Sequence, residues 1–208
     1  MRPVGLLSVG WSHPSAMGID IPFVKMPKIS DGSGWSYYIP ASSFKGALRS
    51  SASKIAHAYG FTSCGEIKPD LLESENQACD VCYLFGTINR RKPRIYFSDL
   101  LPSKISEPSV MLLTHTRIDD RSQTVAEHGL YTIEAILPTI EFTGSIMYLD
   151  LAGKLPLLLL ALAGLRLGRF GRRSLIDIRL EGVDRLRNEV EPKWTTLVNE
   201  LGEWLWSA

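Results

Sequence analysis

The run from Leu155 to Leu165 is the longest apolar stretch of the chain, and it limits the folds open to the sequence. A membrane-spanning helix needs ~20 apolar residues, so this run falls far short of a bilayer. Pro156 near its start suits the first turn of a helix, and Leu155 to Ala163 read as an apolar helix. With 45% hydrophobic residues over 208 positions, there is material for one sizeable core or two small ones. Met1 to Val9 lacks a charged region followed by a long apolar one. The expectation is a soluble cytoplasmic protein with no membrane partner.

The remaining segments arrange themselves around that helix. Residues 4–10 read as a short strand. Residues 11–38 are poorly periodic and rich in Gly, Pro and Ser, and a loop of that length in a compact domain is usually functional or disordered. Ser42 to Tyr59 reads as a helix, capped by Ser42 or Ser43 and stopped by Gly60. Arg94 to Asp99 alternates and reads as a strand. Val110 to Ile118 and Leu130 to Leu137 read as two strands joined by a polar excursion, with further strands over Glu141 to Leu151 and Leu175 to Gly182. Pro192 to Trp206 reads as a C-terminal helix with Trp194, Leu197, Leu201 and Trp204 or Leu205 on one face. This order suits an α+β, ferredoxin-like (RRM-like) domain. A cysteine-bearing insertion over 57–90, a hairpin over 119–129 and the C-terminal helix within 190–208 complete a single domain, 1–208.

Twenty-three basic and 22 acidic residues leave a net charge of +1. Bulk charge therefore does not mark a nucleic-acid binder, and any such affinity must come from local clusters. Lys45 and Arg49 lie four apart on one helical face, just inside a helix start whose free amides and dipole favour a phosphate. Gly164 to Arg173 is a glycine-punctuated stretch carrying Arg166, Arg169, Arg172 and Arg173, again suited to a polyanion. Arg90, Arg91, Lys92 and Arg94 form another run, for which a solvated face is the preferred reading of Arg90 to Lys92. Tyr37 and Tyr38 suit base stacking and core packing equally.

The three cysteines are odd in number and share one window, which argues against a disulfide framework. Cys79 and Cys82 form a C-x-x-C half-site. With Cys64 and His57 they make four ligands, the number for a closed structural zinc site. The competing reading is buried free cysteines acting as small hydrophobes.

Together these segments resemble the RAMP superfamily, and within it the repeating backbone subunit of type III (Csm/Cmr) CRISPR effector complexes. The resemblance is carried by Ile39 to Arg49, by Cys82-Tyr83-Leu84-Phe85-Gly86, by Arg94-Ile95-Tyr96-Phe97-Ser98-Asp99, by Thr116-Arg117-Ile118-Asp119 with Gly129-Leu130-Tyr131 and Glu134, and by Gly164 to Arg173. It implies a RAMP domain whose hairpin acts as a thumb between target nucleotides. It also implies a crRNA held by Lys45, Arg49, Arg117, Gly164, Arg166, Gly168, Arg169, Gly171 and Arg172.

The family's catalytic Asp context is matched by Gly18-Ile19-Asp20-Ile21-Pro22, which gives Asp20 that role, with His13 in the same loop as a candidate acid or base. The implied activity is divalent-metal-dependent endoribonuclease cleavage of complementary target RNA, with Mg²⁺ at Asp20. The implied partners are crRNA, target RNA, further copies in a head-to-tail filament and other type III subunits. The chain departs from the family pattern at Ala41, at Ser122-Gln123-Thr124-Val125 and at Phe170 with its arginine pair. These departures keep open a non-catalytic paralogue that only holds the guide. Glu134 and Asp99 are read as structural hydrogen-bonding or ion-pairing groups.

Overall fold

The computed structural model describes residues 1–11, 18–28, 34–65, 79–87, 91–103, 110–172 and 174–206. Two helices form the centre of the molecule. Helix α1 (Ala41–Ile55) buries Phe44, Leu48, Ser51 and Ala52, a spacing that keeps one helical stripe inside. It runs on into a 3₁₀ turn (Ala56–Tyr59) that Gly60 ends with φ of 79°, a left-handed conformation that costs glycine little. Further along are α2 (Asp80–Phe85), α3 (Leu155–Leu167), α4 (Val183–Leu186) and α5 (Thr195–Trp204).

The α1 N-terminus corrects the sequence reading. Neither Ser42 nor Ser43 caps the helix; Pro40 holds the cap position without a side-chain bond. Instead the Asp99 carboxylate accepts from the Ala41 amide at 2.7 Å, and the Ser43 and Phe44 amides are taken by the Pro40 carbonyl. A carboxylate from elsewhere in the chain already sits at the positive end of the helix.

Helix α3 is longer than its sequence suggests and is almost entirely buried. Gly164 lies inside it rather than in a loop. A Cβ there would stand 2.6 Å from Ser51 Oγ, and Ser51 Oγ donates to the Ala161 carbonyl at 2.7 Å. Gly164 therefore serves the close approach of α3 to α1.

The strands form five antiparallel pairs among the described residues, not one continuous sheet. Strand β1 (Arg2–Pro3) pairs with β10 (Ile176–Asp177), β2 (Lys25–Pro27) with β3 (Trp35–Tyr37), and β4 (Ile95–Phe97) with β9 (Ile146–Tyr148). Strand β5 (Leu101–Pro102) pairs with β8 (Phe142–Thr143), and β6 (Val110–Ile118) with β7 (Val125–Ile136). Proline ends β1, β2 and β5, and a proline donates no ladder hydrogen bond. Single bridges tie the pairs together, including Leu7 to Ile136 and Ile39 to Leu100. The expected strand over 4–10 is reduced to such bridges at Leu7 and Gly10.

Helix α5 packs Val198 and Leu201 inward, with Leu205 just beyond it also buried. The C-terminal tryptophans are tied to the body. Trp194 stacks on Phe61 at 6.0 Å, the Arg166 guanidinium lies 4.8 Å from the Trp204 ring, and Arg2 and Arg179 lie 4.5 and 4.2 Å from Trp206.

Asp177 is buried where β1 meets β10 and is bonded by Arg2 at 2.9 Å and Arg166 at 3.1 Å. Burial alone would raise its pKa, but the two arginines outweigh that and hold the carboxyl below the ordinary value. A folded-state pKa below the unfolded one gives stability that is present above the unfolded pKa, near 3.9, and is lost as pH falls through the folded value. Asp177→Asn is expected to melt lower than wild type at pH 6 and to lose less on acidification to pH 2.5. Melting curves across that range check it; parallel pH profiles would refute it.

Candidate nucleic-acid interface and cysteine site

Asp20 is fixed at the foot of the β6–β7 ribbon. Gly18, with φ of 74°, turns the chain into a short edge segment beside β7. The Asp20 and Ile21 amides both donate to the Thr132 carbonyl at 3.1 Å. The Thr132 amide returns a bond to Asp20 Oδ2 at 2.7 Å, and Ile21 bridges Ile133 in parallel. Asp20 is exposed, and its other oxygen has no hydrogen-bond partner among the described residues. His13 lies outside the described residues.

A buried carboxylate holds that segment down. Glu134 Oε2 accepts from the Phe23 amide at 2.8 Å. Its Oε1 accepts from Lys25 Nζ at 2.8 Å and from the Tyr37 hydroxyl at 2.9 Å. Burial works against the Lys25 charge, but the bonds to Glu134 and Tyr37 outweigh it and keep the pKa above the ordinary lysine value. Burial and Glu134 push the Tyr37 hydroxyl up as well. Glu134 and Asp99 are thus structural, as their sequence context suggests, and Tyr37 packs edge-on against Phe23 at 5.8 Å as a core residue.

Beyond Asp20 the ribbon leaves the body. Strand β7 starts at Val125, so 125–129 is strand and the connection shrinks to 119–124. A register shift falls between Thr116 and Ile118, placing Arg117 at the bulge. There Gly129 approaches so closely that a Cβ would lie 2.9 Å from the Arg117 carbonyl. Asp119 fixes the tip by accepting from the Arg121 and Ser122 amides, each at 2.9 Å. Those bonds hold its carboxyl below the ordinary value. Arg117 is exposed, as are Ile118 (60%) and Leu130 (63%). Apolar side chains left in water along a protruding ribbon mark a contact surface. His115 stacks on Tyr131 at 5.4 Å on this ribbon.

The first turn of α1 and the loop after α3 lie side by side, because Phe44 meets Phe170 edge-on at 6.0 Å. The loop is a tight turn. Phe170 and Ser174 exchange backbone hydrogen bonds, and the Arg172 amide donates to the Ser8 carbonyl at 2.9 Å. Gly171 adopts φ of 58°, and a Cβ there would stand 2.4 Å from the Ser8 carbonyl, so only glycine fits. Gly168 ends α3.

Of the cations assigned to RNA, Arg169 and Arg172 are exposed. Lys45 is half-buried, with no hydrogen-bond or ion-pair partner among the described residues. Burial first, then the nearby Arg49 charge, lowers the Lys45 pKa. Two others are turned to the protein. Arg166 bonds Asp177 and the Trp204 carbonyl, and Arg49 donates to the Gly86 carbonyl at 2.6 Å and to Cys82 Sγ at 3.3 Å. Arg173 lies outside the described residues.

Cys64, Cys79 and Cys82 converge, with all three sulfurs within 4.8 Å of one another. Cys79 is the N-cap of α2, and its sulfur accepts from the Cys82 amide at 3.4 Å. Three soft donors at this spacing can hold a metal such as zinc. With the thiols protonated, burial, then Cys79 and Cys64, push Cys82 up to about 12. His57 is not part of the cluster. Its Nε2 lies 3.1 Å from the Ser63 carbonyl, which engages the ring locally. Arg49, on Cys82 Sγ, is the neighbour that sequence spacing did not reveal.

A family model of the RAMP superfamily matches residues 25–175, and the chain belongs to that superfamily. The superfamily is associated with CRISPR effector complexes and RNA binding. No individual curated protein matches the chain. The match takes in Lys45, the cysteines, the ribbon and the loop after α3, and begins downstream of Asp20. Among the described residues no helix is long and apolar enough to cross a membrane.

Proposed function

We propose that this chain is the crRNA-binding backbone subunit of a type III CRISPR effector, with a ferredoxin-like RAMP core, and that it cuts complementary target RNA at regular intervals. The observation that carries the proposal is the placement of Asp20, an exposed carboxylate locked by the Thr132 amide at the foot of an exposed ribbon. Lys45, Arg169 and Arg172 hold guide phosphates, which gives grip independent of sequence. Pairing between guide and target supplies specificity. The ribbon, with Arg117 at its bulge, acts as the thumb that separates target nucleotides and leaves one phosphodiester strained toward in-line geometry.

A single carboxylate oxygen fits Mg²⁺, which keeps most of its waters and binds through one or two carboxylates and substrate phosphate. Bound there, Mg²⁺ would neutralise charge on the scissile phosphate or acidify the attacking hydroxyl. The chain's own part is to hold Asp20 in place through Thr132 and Glu134. Copies stack head to tail, as a heterologous interface permits, with other type III subunits at the ends.

A guide-holding scaffold without cleavage is the second reading. It is favoured by one observation: among the described residues the only metal-competent group of three is the cysteine cluster, so Asp20 belongs to no such group there. The reconstituted guide complex, given labelled complementary RNA and Mg²⁺, separates the two. Evenly spaced cuts that fall by roughly 10²-fold or more in Asp20→Ala, with target binding kept, are expected. Binding without cutting by wild type establishes the scaffold, and equal cutting by both proteins removes Asp20 from catalysis.

A further inference from the structure

Trp35 differs from the other tryptophans of the chain. It is 55% exposed, whereas those near the C-terminus are held by neighbours: Trp194 by Phe61, Trp204 by Arg166, and Trp206 by Arg2 and Arg179. Its ring partner is the half-buried Trp11, with centroids 6.1 Å apart and planes at 55°. Among the described residues no cation and no other ring lies against Trp35. A tryptophan left this far in water forgoes burial of a large ring, and such rings dominate the energetics of contact surfaces.

The pair is built onto the stretch of chain that carries Asp20. Residues 20–27 meet three partners in turn. The Asp20 and Ile21 amides bond Thr132 of β7. The Trp11 amide then donates to the Pro22 carbonyl at 2.9 Å, and the Val24 amide to the Val9 carbonyl at 3.1 Å. Between these bonds Gly10 bridges Phe23, so closely that a Cβ on Gly10 would lie 2.9 Å from Ile21 Cγ2. The stretch ends as β2, where Pro27 stands opposite Trp35 in β3. Trp11 is thus attached beside Pro22, about 7 Å along an extended chain from Asp20. Tyr37, further along β3, bonds Glu134, so the carboxylate that holds down the Asp20 segment also anchors the strand of Trp35.

Every base has a π-face, and aromatic side chains stack on unpaired bases whatever their sequence. Stacking needs a ring face and not an excess of charge, which suits a chain with a net charge of +1. The superfamily is associated with RNA binding, which makes RNA the occupant, and continuity with the Asp20 segment gives the place.

We propose that Trp35, backed by Trp11, is a stacking platform for an unpaired RNA base next to the Asp20 carboxylate. The inference rests on the RNA-binding reading above and deepens it, because a base held there fixes the course of the strand past Asp20.

The test uses the purified full chain and a labelled single-stranded RNA of mixed sequence, followed by fluorescence anisotropy at several salt concentrations. Trp35→Ala is expected to weaken binding on the order of tenfold, with the salt slope unchanged because no phosphate contact is lost. Trp35→Phe keeps a ring and should retain most of the affinity. On a ribose-phosphate oligomer without bases, wild type and Trp35→Ala should bind alike. Wild-type affinity of Trp35→Ala for the mixed RNA, with Lys45→Ala still weakened, overturns the platform and leaves the Lys45 face standing. A shallower salt slope in Trp35→Ala, or an equal loss on the base-free oligomer, overturns stacking as the contact. No binding by wild type overturns the RNA-binding reading and the platform together. If Trp35→Ala does not fold, cross-linking of wild type to iodouridine-labelled RNA decides. An adduct at Trp35 is expected, and adducts confined to other regions overturn the platform.

Discussion

Glu134→Ala is expected to be among the most destabilising single substitutions in this protein, costing about 3–5 kcal/mol. The carboxylate is 4% exposed and serves the Phe23 amide, Lys25 and Tyr37 together. Alanine would leave a half-buried ammonium without its counter-charge, and a buried amide and a half-buried hydroxyl without an acceptor. For a chain of this size that converts to a fall in Tm of roughly 6–20 °C.

Lys25→Met added to Glu134→Ala should recover part of the loss, because the unpaired charge goes with it. The functional consequence follows from the register of β7. Glu134 anchors Phe23 and Lys25, and Thr132, two positions away on the same strand, anchors Asp20. Cutting measured well below the lowered Tm should therefore fall even where the variant is folded. Calorimetry with the reconstituted cleavage assay checks both parts, and an unchanged Tm would show that the triad contributes little.

This triad also shows which parts of the structure could be read in advance. The long elements were legible. Gly60 marked the end of α1 and its 3₁₀ extension, the apolar run marked α3, and β6 begins and ends at Val110 and Ile118 as its sequence suggests. These depend on local periodicity and burial, which a sequence displays directly.

Arrangements resting on partners far along the chain were not legible. Asp99 caps a helix 58 positions away, and Glu134 reaches Phe23 across 111 positions. Glycines misled in one direction. Gly164 looks like part of a phosphate-binding loop, yet its missing side chain admits Ser51 of a facing helix. Arginines misled similarly, since Arg49 and Arg166 stand in motifs that suggest RNA but spend their donors on Cys82, Gly86 and Asp177. The short strands ended by Pro3, Pro27 and Pro102 were not legible either, since two or three residues display no periodicity. The amide that orients the Asp20 carboxylate became visible only in the fold.

The cysteine cluster supplies the second large effect. Zinc held by Cys64, Cys79 and Cys82 would join the chain just after α1 to the start of α2, a region also tied by Asp80 to the Thr62 amide at 2.7 Å. A metal bound only by the folded chain adds its binding free energy to stability. The purified protein is therefore expected to carry about one zinc per chain and to melt at least several degrees lower, roughly 2–4 °C per kcal/mol lost, once a strong chelator has removed it. Cys82→Ser should lose the metal and the stability together. His57→Ala should keep both, because the ring lies outside the cluster; loss of zinc in that variant would restore the four-ligand site that the sequence spacing suggests.

Arg49→Gln distinguishes a metal site from a packed group of thiols. Its guanidinium donates to Cys82 Sγ, and a donor to a ligating thiolate typically supports metal affinity by roughly 10–100-fold. Competition against a chromogenic chelator reads that loss directly, without reference to RNA. If the protein contains no zinc as isolated and takes up none, the cysteines are small hydrophobes in the core, and Arg49 serves only to hold α1 against the loop at Gly86.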